Sequence, residues 1–478
     1  MGPTARRLKV HAQSISTAFV LVAALALTAH AQVSSMGADS SVGVSSNPAA
    51  APAAREPVLS YGVDAGIGES DNVTLAPTDK ISQTIAATDV DFTVKEQSRL
   101  LEVNATGYFS YLDYLQNAYS SQLLGRFDGK GEVAIVPGRL RWVVQEDFGQ
   151  AAIDPYTAVT PSNLENVNYL STGPDLSMRL GGVNFINLSA RYARAEYETS
   201  PYSSNRGLGS VAVGRDISAG ASVSLNADFE RVMFENTAVN TDFDRTRGFG
   251  RYELHGARTD FEADLGASRI TQEGSSTNGP LAKVQLSRKL SAAAKLTLTA
   301  GSELIDASSS FSARPTGPIG ASGIIGTAPA ALTANNYTSD YASVGWQYLR
   351  YRTMIALVAR WEKDTYAGQP QLDVNRPGAD FNIQRQLTRA FSAQLLGRFS
   401  ETDYPNAAIA SNTASSKYDD WLVGGALTWR HGRGLEIRLR YDHDSHVVSA
   451  GGSGYGENRV FLTVGYRPRS NLELTEPQ

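Results

Sequence analysis

The densest group of chemically capable side chains is Asp442-His443-Asp444-Ser445-His446. Two imidazoles among carboxylates can bind a metal or relay a proton. The residues just before them speak against both. Leu435, Ile437, Leu439 and Tyr441 alternate with Glu436, Arg438, Arg440 and Asp442, the two-residue period of a strand. His443 continues the apolar series while His446 falls on the opposite face. The two rings therefore diverge, and the expectation is a polar rim leading into a loop rather than a metal site.

Other catalytic patterns fare no better. There is no G-x-S-x-G, His255 and His431 sit beside tight breaks, and the DFG at Asp147 to Gly149 stands in a strand without a Gly-rich loop or catalytic Asp motif. With no cysteine in the chain, disulfides, thiolate metal sites and Cys nucleophiles are excluded. No enzyme activity and no cofactor are expected.

Charge on the polar faces of the strands carries more information. By parity one face receives Glu436, Arg438, Arg440 and Asp442; Gln394 and Arg398; Arg141, Gln145 and Asp147; and the row Arg245, Arg247, Arg251 and Glu253. Facing lipid, each charge would cost roughly 2 to 4 kcal/mol at mid-membrane, so these side chains are expected to line a wet pore. There they can guide an anionic polymer or set ion selectivity. They can equally neutralise one another across strands.

These rows need strands to hold them, and the alternation recurs along the chain. Val223, Leu225, Ala227 and Phe229 form one such face, Phe391 to Phe399 another, Trp421 to Trp429 a third and Val460 to Tyr466 a fourth. Each strand reads as about ten residues, the length of a tilted membrane strand. Two kinds of break alternate between strands. Short ones fall near Gln97, Gly138, Gly182, Ala219, Gly256, Lys289, Arg350, Arg389 and Gly432. Longer polar ones run over Asp71–Lys80, Gln116–Ala118, Ile153–Asn163, Thr199–Ser203, Thr237–Thr241, Glu273–Asn278, Ser308–Asn335, Gly368–Gln371, Asp403–Ser415 and Ser449–Gly454.

The fold expected is all-β, a single up-and-down antiparallel transmembrane barrel of about twenty strands. The Gly-rich Ser60–Gly68 and Pro377 in Asp373–Asp380 leave about eighteen open. Such a barrel is too wide for side chains to fill, so its lumen is either aqueous or plugged. The long, nearly uncharged loop Ser308–Asn335, with its apolar stretch Gly317–Leu332, is either an inward constriction or a mobile extracellular loop. Aromatic clusters, Tyr108, Phe109, Tyr111, Tyr114 and Tyr119 around one loop and Trp346, Tyr348, Tyr351 and Trp361 around one turn, suit interface girdles.

The N-terminus fits export. Arg6, Arg7 and Lys9 precede the apolar Ala18–Leu27, which ends in Ala29-His30-Ala31, so residues 1–31 read as a secretory signal peptide. Its removal takes the net charge from −5 to about −8, which argues against nucleic acid as a partner. Residues 32–56 are Ser, Ala, Gly and Pro without periodicity and read as a disordered periplasmic leader. The barrel is expected over residues 57–467 and a tail over 468–478. No segment after the signal reaches eighteen consecutive apolar residues, so a membrane helix is not expected, and a mean hydropathy of −0.24 is normal for alternating barrel strands.

Two passages, YGVDAGIGESDNVTLAPTDK at Tyr61–Lys80 and ENVNYLSTGPDLSMRLGG at Glu165–Gly182, resemble the β-barrel porin family found with exopolysaccharide and PEP-CTERM/exosortase gene systems. That family commonly runs a Gly-rich first strand into an acidic Asp-Asn loop, here Glu69-Ser70-Asp71-Asn72. One departure is the end of the chain, where RPRSNLELTEPQ follows Tyr466 instead of a terminal aromatic. The resemblance implies a Gram-negative outer-membrane barrel in surface-polymer handling, with outer-membrane lipid, an anionic or neutral polysaccharide and export-system proteins as partners. The function expected is a porin-like channel for a hydrophilic solute. The alternatives are a non-conducting barrel that binds polymer through its loops and, further off, an outer-membrane enzyme.

Overall fold

The computed structural model describes residues 58–313, 334–406, 416–432, 434–448 and 454–468. The signal peptide, the leader, the apolar stretch Gly317–Leu332 and the tail beyond Pro468 lie outside the described residues.

Twenty strands form one sheet: β1 (Val58–Ser70), β2 (Gln83–Gln97), β3 (Leu101–Tyr114), β4 (Gln122–Val136), β5 (Leu140–Ala152), β6 (Leu164–Leu180), β7 (Asn184–Tyr197), β8 (Ser204–Ser218), β9 (Ala221–Phe234), β10 (Phe243–His255), β11 (Thr259–Gln272), β12 (Ser275–Lys289), β13 (Ala294–Ile305), β14 (Tyr337–Arg350), β15 (Thr353–Thr365), β16 (Val374–Gln386), β17 (Phe391–Asp403), β18 (Lys417–His431), β19 (Leu435–Val448) and β20 (Tyr455–Tyr466). Each pairs antiparallel with the next, and β1 closes on β20. The eighteen-strand alternative falls away. Pro377 is held in β16 opposite Trp361 and interrupts only the pairing with β17, where the register omits Arg376 and Pro377.

The strands span 12 to 17 residues rather than about ten, so their ends stand beyond the hydrocarbon layer. All nine expected tight turns lie at one end, and the longer loops and both barrel termini distribute as an outer-membrane barrel requires. The turn end is the periplasmic one. Glu273–Asn278 is the exception among the loops. Ser275 already pairs with Gln272, leaving Glu273 and Gly274 as a two-residue turn with φ of 49° and 77°. Both central residues of a type I′ hairpin need positive φ, and a hairpin standing in water needs no apolar alternation to be a strand.

Cα partners followed from strand to strand keep one set of side chains on each face. The outer set includes Leu225 and Leu265, 75% and 74% exposed, with Val63, Val344, Leu395, Leu439 and Leu462. An exposed apolar exterior on a closed barrel makes this an outer-membrane protein. Trp361, Trp421 and Tyr111 stand outward toward the loops, and Tyr61, Phe391 and Tyr466 toward the turns. The expected aromatic clusters divide. Tyr108 and Tyr114 turn inward with Arg126 and Ile85, and Trp361 sits at the loop end of β15, away from the turn that Trp346 and Tyr348 flank.

The seam is shorter than the other pairings. β20 meets β1 only over Val63–Ser70, so Val58–Gly62 have partners in β2 alone. Pro468 follows two residues after β20 ends and has no amide to extend the ladder. At the loop end the seam is clasped. The Asp71 carboxylate accepts hydrogen bonds from the Asn458 amide (2.7 Å) and side chain (2.6 Å), Ser70 donates to Glu457 (2.6 Å), and Lys80 donates to the Gly456 carbonyl (3.0 Å).

Candidate functional site: the inner wall and the loops folded against it

The inner wall is built from alternate residues of every strand, and it changes character along the barrel axis. Toward the loops it is tightly packed, with apolar clusters set among buried, paired charges. Ile85, Leu112, Tyr114, Leu124 and Phe461 pack with Val73, and Val232, Phe234, Phe243 and Ile270 form a second cluster. Loops folded inward give these side chains something to pack against.

The first such loop follows β13. Asp306 leads into a short helix, α1 (Ala307–Ala313), which lies against the inner faces of β5 to β10. Arg206 on β8 and Arg245 on β10 flank Glu230 on β9, and Asp306 completes a buried square. Arg206 bonds Glu230 at 3.1 Å and Asp306 at 2.6 Å, while Arg245 pairs with Glu230 and lies 3.5 Å from Asp306. Ser309 donates to Asp306 (2.5 Å) and accepts from Arg245 (2.9 Å). Arg206 is fully buried, with its guanidinium 6.0 Å from the centre of the Tyr169 ring. Burial alone would raise the Asp306 carboxyl, but Arg206 and then Arg245 hold it below the ordinary carboxylate range. On the far side of α1, Tyr197 meets Ser308 at 2.8 Å. Phe311 packs over Gly149, where a Cβ would approach its ring to 3.3 Å. Only the beginning of the long loop is described, and that beginning is turned inward.

The second inward loop is 153–163, between β5 and β6. Asn163 organises it, with the side-chain amide donating to the carbonyls of Asp154 (2.9 Å) and Ala158 (3.1 Å) and the side-chain oxygen accepting from the Asp154 amide (2.8 Å). The folded loop reaches the strands across the barrel. Tyr404 and Tyr418 donate to the Pro155 carbonyl at 3.4 and 3.3 Å, and Tyr156 donates to the Gln371 carbonyl at 2.8 Å. The rings of Tyr156 and Tyr404 meet edge to face at 4.7 Å. Gln122 holds the near side through the Pro161 carbonyl (2.8 Å).

Toward the turns the wall is charged, and its charges are paired. Every arginine anticipated from parity has a carboxylate partner: Arg141 with Glu132 (2.9 Å), Arg247 with Asp228 (3.1 Å), Arg251 with Asp264 (2.7 Å), Arg398 with Asp380 (2.9 Å), Arg438 with Glu436 (2.5 Å), Arg440 with Asp442 (2.7 Å) and Arg245 in the buried square. Glu253 stands 3.7 Å from Arg251, Gln145 donates to Asp147 at 3.0 Å and Gln394 donates to Asn382 at 3.1 Å. Within β19 the row neutralises itself along the strand. Arg245, Arg247, Arg251 and Glu253 share one strand, whereas Arg141, Gln145 and Asp147 stand on a separate sector.

Sequence reasoning missed Arg206, Glu230 and Asp306. Glu230 closes an alternating stretch and was legible only as a strand end. Arg206 lies in SNRGLGSVAVGR, where Gly207 and Gly209 blur the outer face. The signal for Asp306 was its place as the last charge before a nearly uncharged loop.

The histidines diverge as parity required. His443 faces outward beside Asn458 (2.9 Å), and His446 faces inward on Asp420 (2.7 Å), between the rings of Tyr418 and Tyr455. Among the described residues no group of three or more His, Asp or Glu side chains is placed to hold a metal ion.

No protein-family model matches the chain, and no curated protein matches it. Among solved structures it is similar to the FrpB iron transporter from Neisseria meningitidis, with 9% identity over 85% of this chain and 82% of that one and a TM-score of 0.40. It is also similar to Pseudomonas aeruginosa OccK2 (OpdF), solved in complex with glucuronate (8%, covering 86% and 98%, TM-score 0.35), and to OpdQ of the same organism (10%, 86% and 99%, 0.35). Likenesses this distant carry no argument about activity, substrate or partners.

Proposed function

We propose that this barrel is a porin-like channel that passes or guides a hydrophilic solute across the outer membrane, an exopolysaccharide being the solute its sequence resemblance suggests. The observation that carries the reading is the polar inner wall toward the periplasm, capped by two loops drawn inward from different sectors. A wall of paired charges, amides and hydroxyls serves a solute in water, and inward loops set the width of the passage. The pore-lining residues are those named above, from Arg141 to Asp442. Outer-membrane lipid surrounds the apolar exterior, and export-system proteins are the partners proposed at the periplasmic rim. We assign no catalytic step and no cofactor.

The apolar packing at the loop end favours a second reading, a closed barrel that docks polymer without conducting. Single-channel current through the refolded protein in a planar bilayer separates the two. Steady current supports the channel. Silence in the wild type and in Asp306→Ala together supports docking.

A further inference from the structure

One sector of the periplasmic half carries almost no charge. On β13 to β18 the inward positions nearer the turns hold only Lys295 and Arg430 as charged groups, both at the turn edge. Between them stand amides and hydroxyls in register. Gln285 faces Thr299 and Thr299 faces Ser343. Gln347 faces Ala356, and Ala356 faces Asn382, which Gln394 reaches by hydrogen bond. These polar side chains are partly or fully exposed inside the barrel. The inward side of β15 is different again. There Ala356 and Val358 form a narrow apolar strip, Ala356 between Gln347 and Asn382, and Val358, exposed, between Gly345 and the Asp380 carboxylate that Arg360 and Arg398 neutralise.

An apolar strip flanked by amides on both sides at Ala356, and ending at a carboxylate already neutralised by two arginines, matches one class of solute. A saccharide ring is apolar over its C–H face and ringed by hydroxyls, which amides serve as both donors and acceptors. An anionic chain finds no free guanidinium row here, because the named arginines of the wall, Arg398 at the inner edge of this sector included, are already paired. We propose that this sector is a track for an uncharged polyhydroxylated chain, a neutral oligo- or polysaccharide, whose ring faces pass over Ala356 and Val358. The proposal rests on reading the barrel interior as the path of a solute, and it names the class of that solute.

The test is calorimetric titration of the detergent-solubilised full chain with maltohexaose and, separately, with an oligogalacturonate of equal length. Maltohexaose is expected to bind at least about tenfold more tightly, and Asn382→Leu with Gln394→Leu to weaken it about tenfold. Gln347→Leu, on the other flank, should act in the same direction, and heat-modifiable electrophoretic mobility verifies that each variant is a closed barrel. Failure of maltohexaose to bind, tighter binding of the anionic chain, or unchanged binding in both sets of variants would overturn the proposal. Planar-bilayer current is recorded in parallel. Sugar binding without current keeps the track and removes the channel, and current without sugar binding does the reverse.

Discussion

The two ends of the inner wall are made by the same rule and come out differently. Toward the periplasm, alternate residues meet an open interior and are charged or amide-bearing. Toward the loops, the same alternate positions meet inward-turned loops, α1 among them, and form clusters of Tyr, Phe, Ile and Leu beside the buried, paired charges of Arg206, Glu230 and Arg245. Parity decides which face a residue takes, and what stands opposite decides whether that face is wet. The two inward loops differ as well. α1 is pinned by buried charge, and loop 153–163 is held by tyrosine hydroxyls and one ring contact.

The largest effect is expected from Asp306→Ala. It leaves two buried guanidiniums sharing Glu230 as the one remaining carboxylate of the square, and breaking a buried pair in this way costs about 3 to 5 kcal/mol. The cost falls on the docking of α1, not on the barrel. Proteolysis within residues 307–313 and single-channel current should both rise while heat-modifiable mobility stays unchanged. If α1 stays protected, the buried square is not its anchor.

A smaller effect should follow Tyr156→Ala, which removes a ring contact and one hydrogen bond, together about 1 to 3 kcal/mol. Hydrogen exchange in residues 153–163 should speed up while that of α1 does not. Equal acceleration in both would mean that the two loops are a single unit.

Acid should do less still. The Asp306 carboxyl titrates below its unfolded value of about 3.9, so its contribution is present above that pH and is lost only as pH falls through the lower, folded value. Asp71 behaves alike. Burial opposes its charge, but Asn458 through its side chain and amide, and then Lys80, hold the carboxyl down. Exchange protection of α1 should be flat between pH 7 and 5, and a loss of protection near pH 6 would point to a different group. The smallest change is expected from Gln394→Ala on its own, within about 0.5 kcal/mol of wild-type stability by denaturant titration, because Gln394 is only half-buried and its bond to Asn382 is between neutral amides.

Much of this architecture was legible in the sequence. β19 announced itself because both faces of Leu435–Asp442 are chemically pure, β17 because Leu396 alone interrupts its polar face, and the nine tight turns fell where short polar breaks stood. β16 was doubtful because Pro377 removes a donor, yet its pairing with β15 carries it. The buried square was not legible. Arg206 and Asp306 are 100 residues apart, and nothing local to either marks the other. The pairing of the arginines was only half legible. Parity placed them on one wall, but register, which no single strand reveals, decided that each would find a carboxylate.

The short seam also bears on how the barrel comes to exist. β1 and β20 are the most distant strands in the chain, and their ladder covers only Val63–Ser70, so closing the ring fixes the longest loop for the fewest hydrogen bonds. On that balance of loop entropy against hydrogen bonds, closure is expected to come last in folding. The clasp of Asp71, Ser70 and Lys80 on residues 456–458 therefore forms only on a completed cylinder, and below it the first five residues of β1, paired with β2 alone, leave the seam as the line along which the wall is expected to part first under strain.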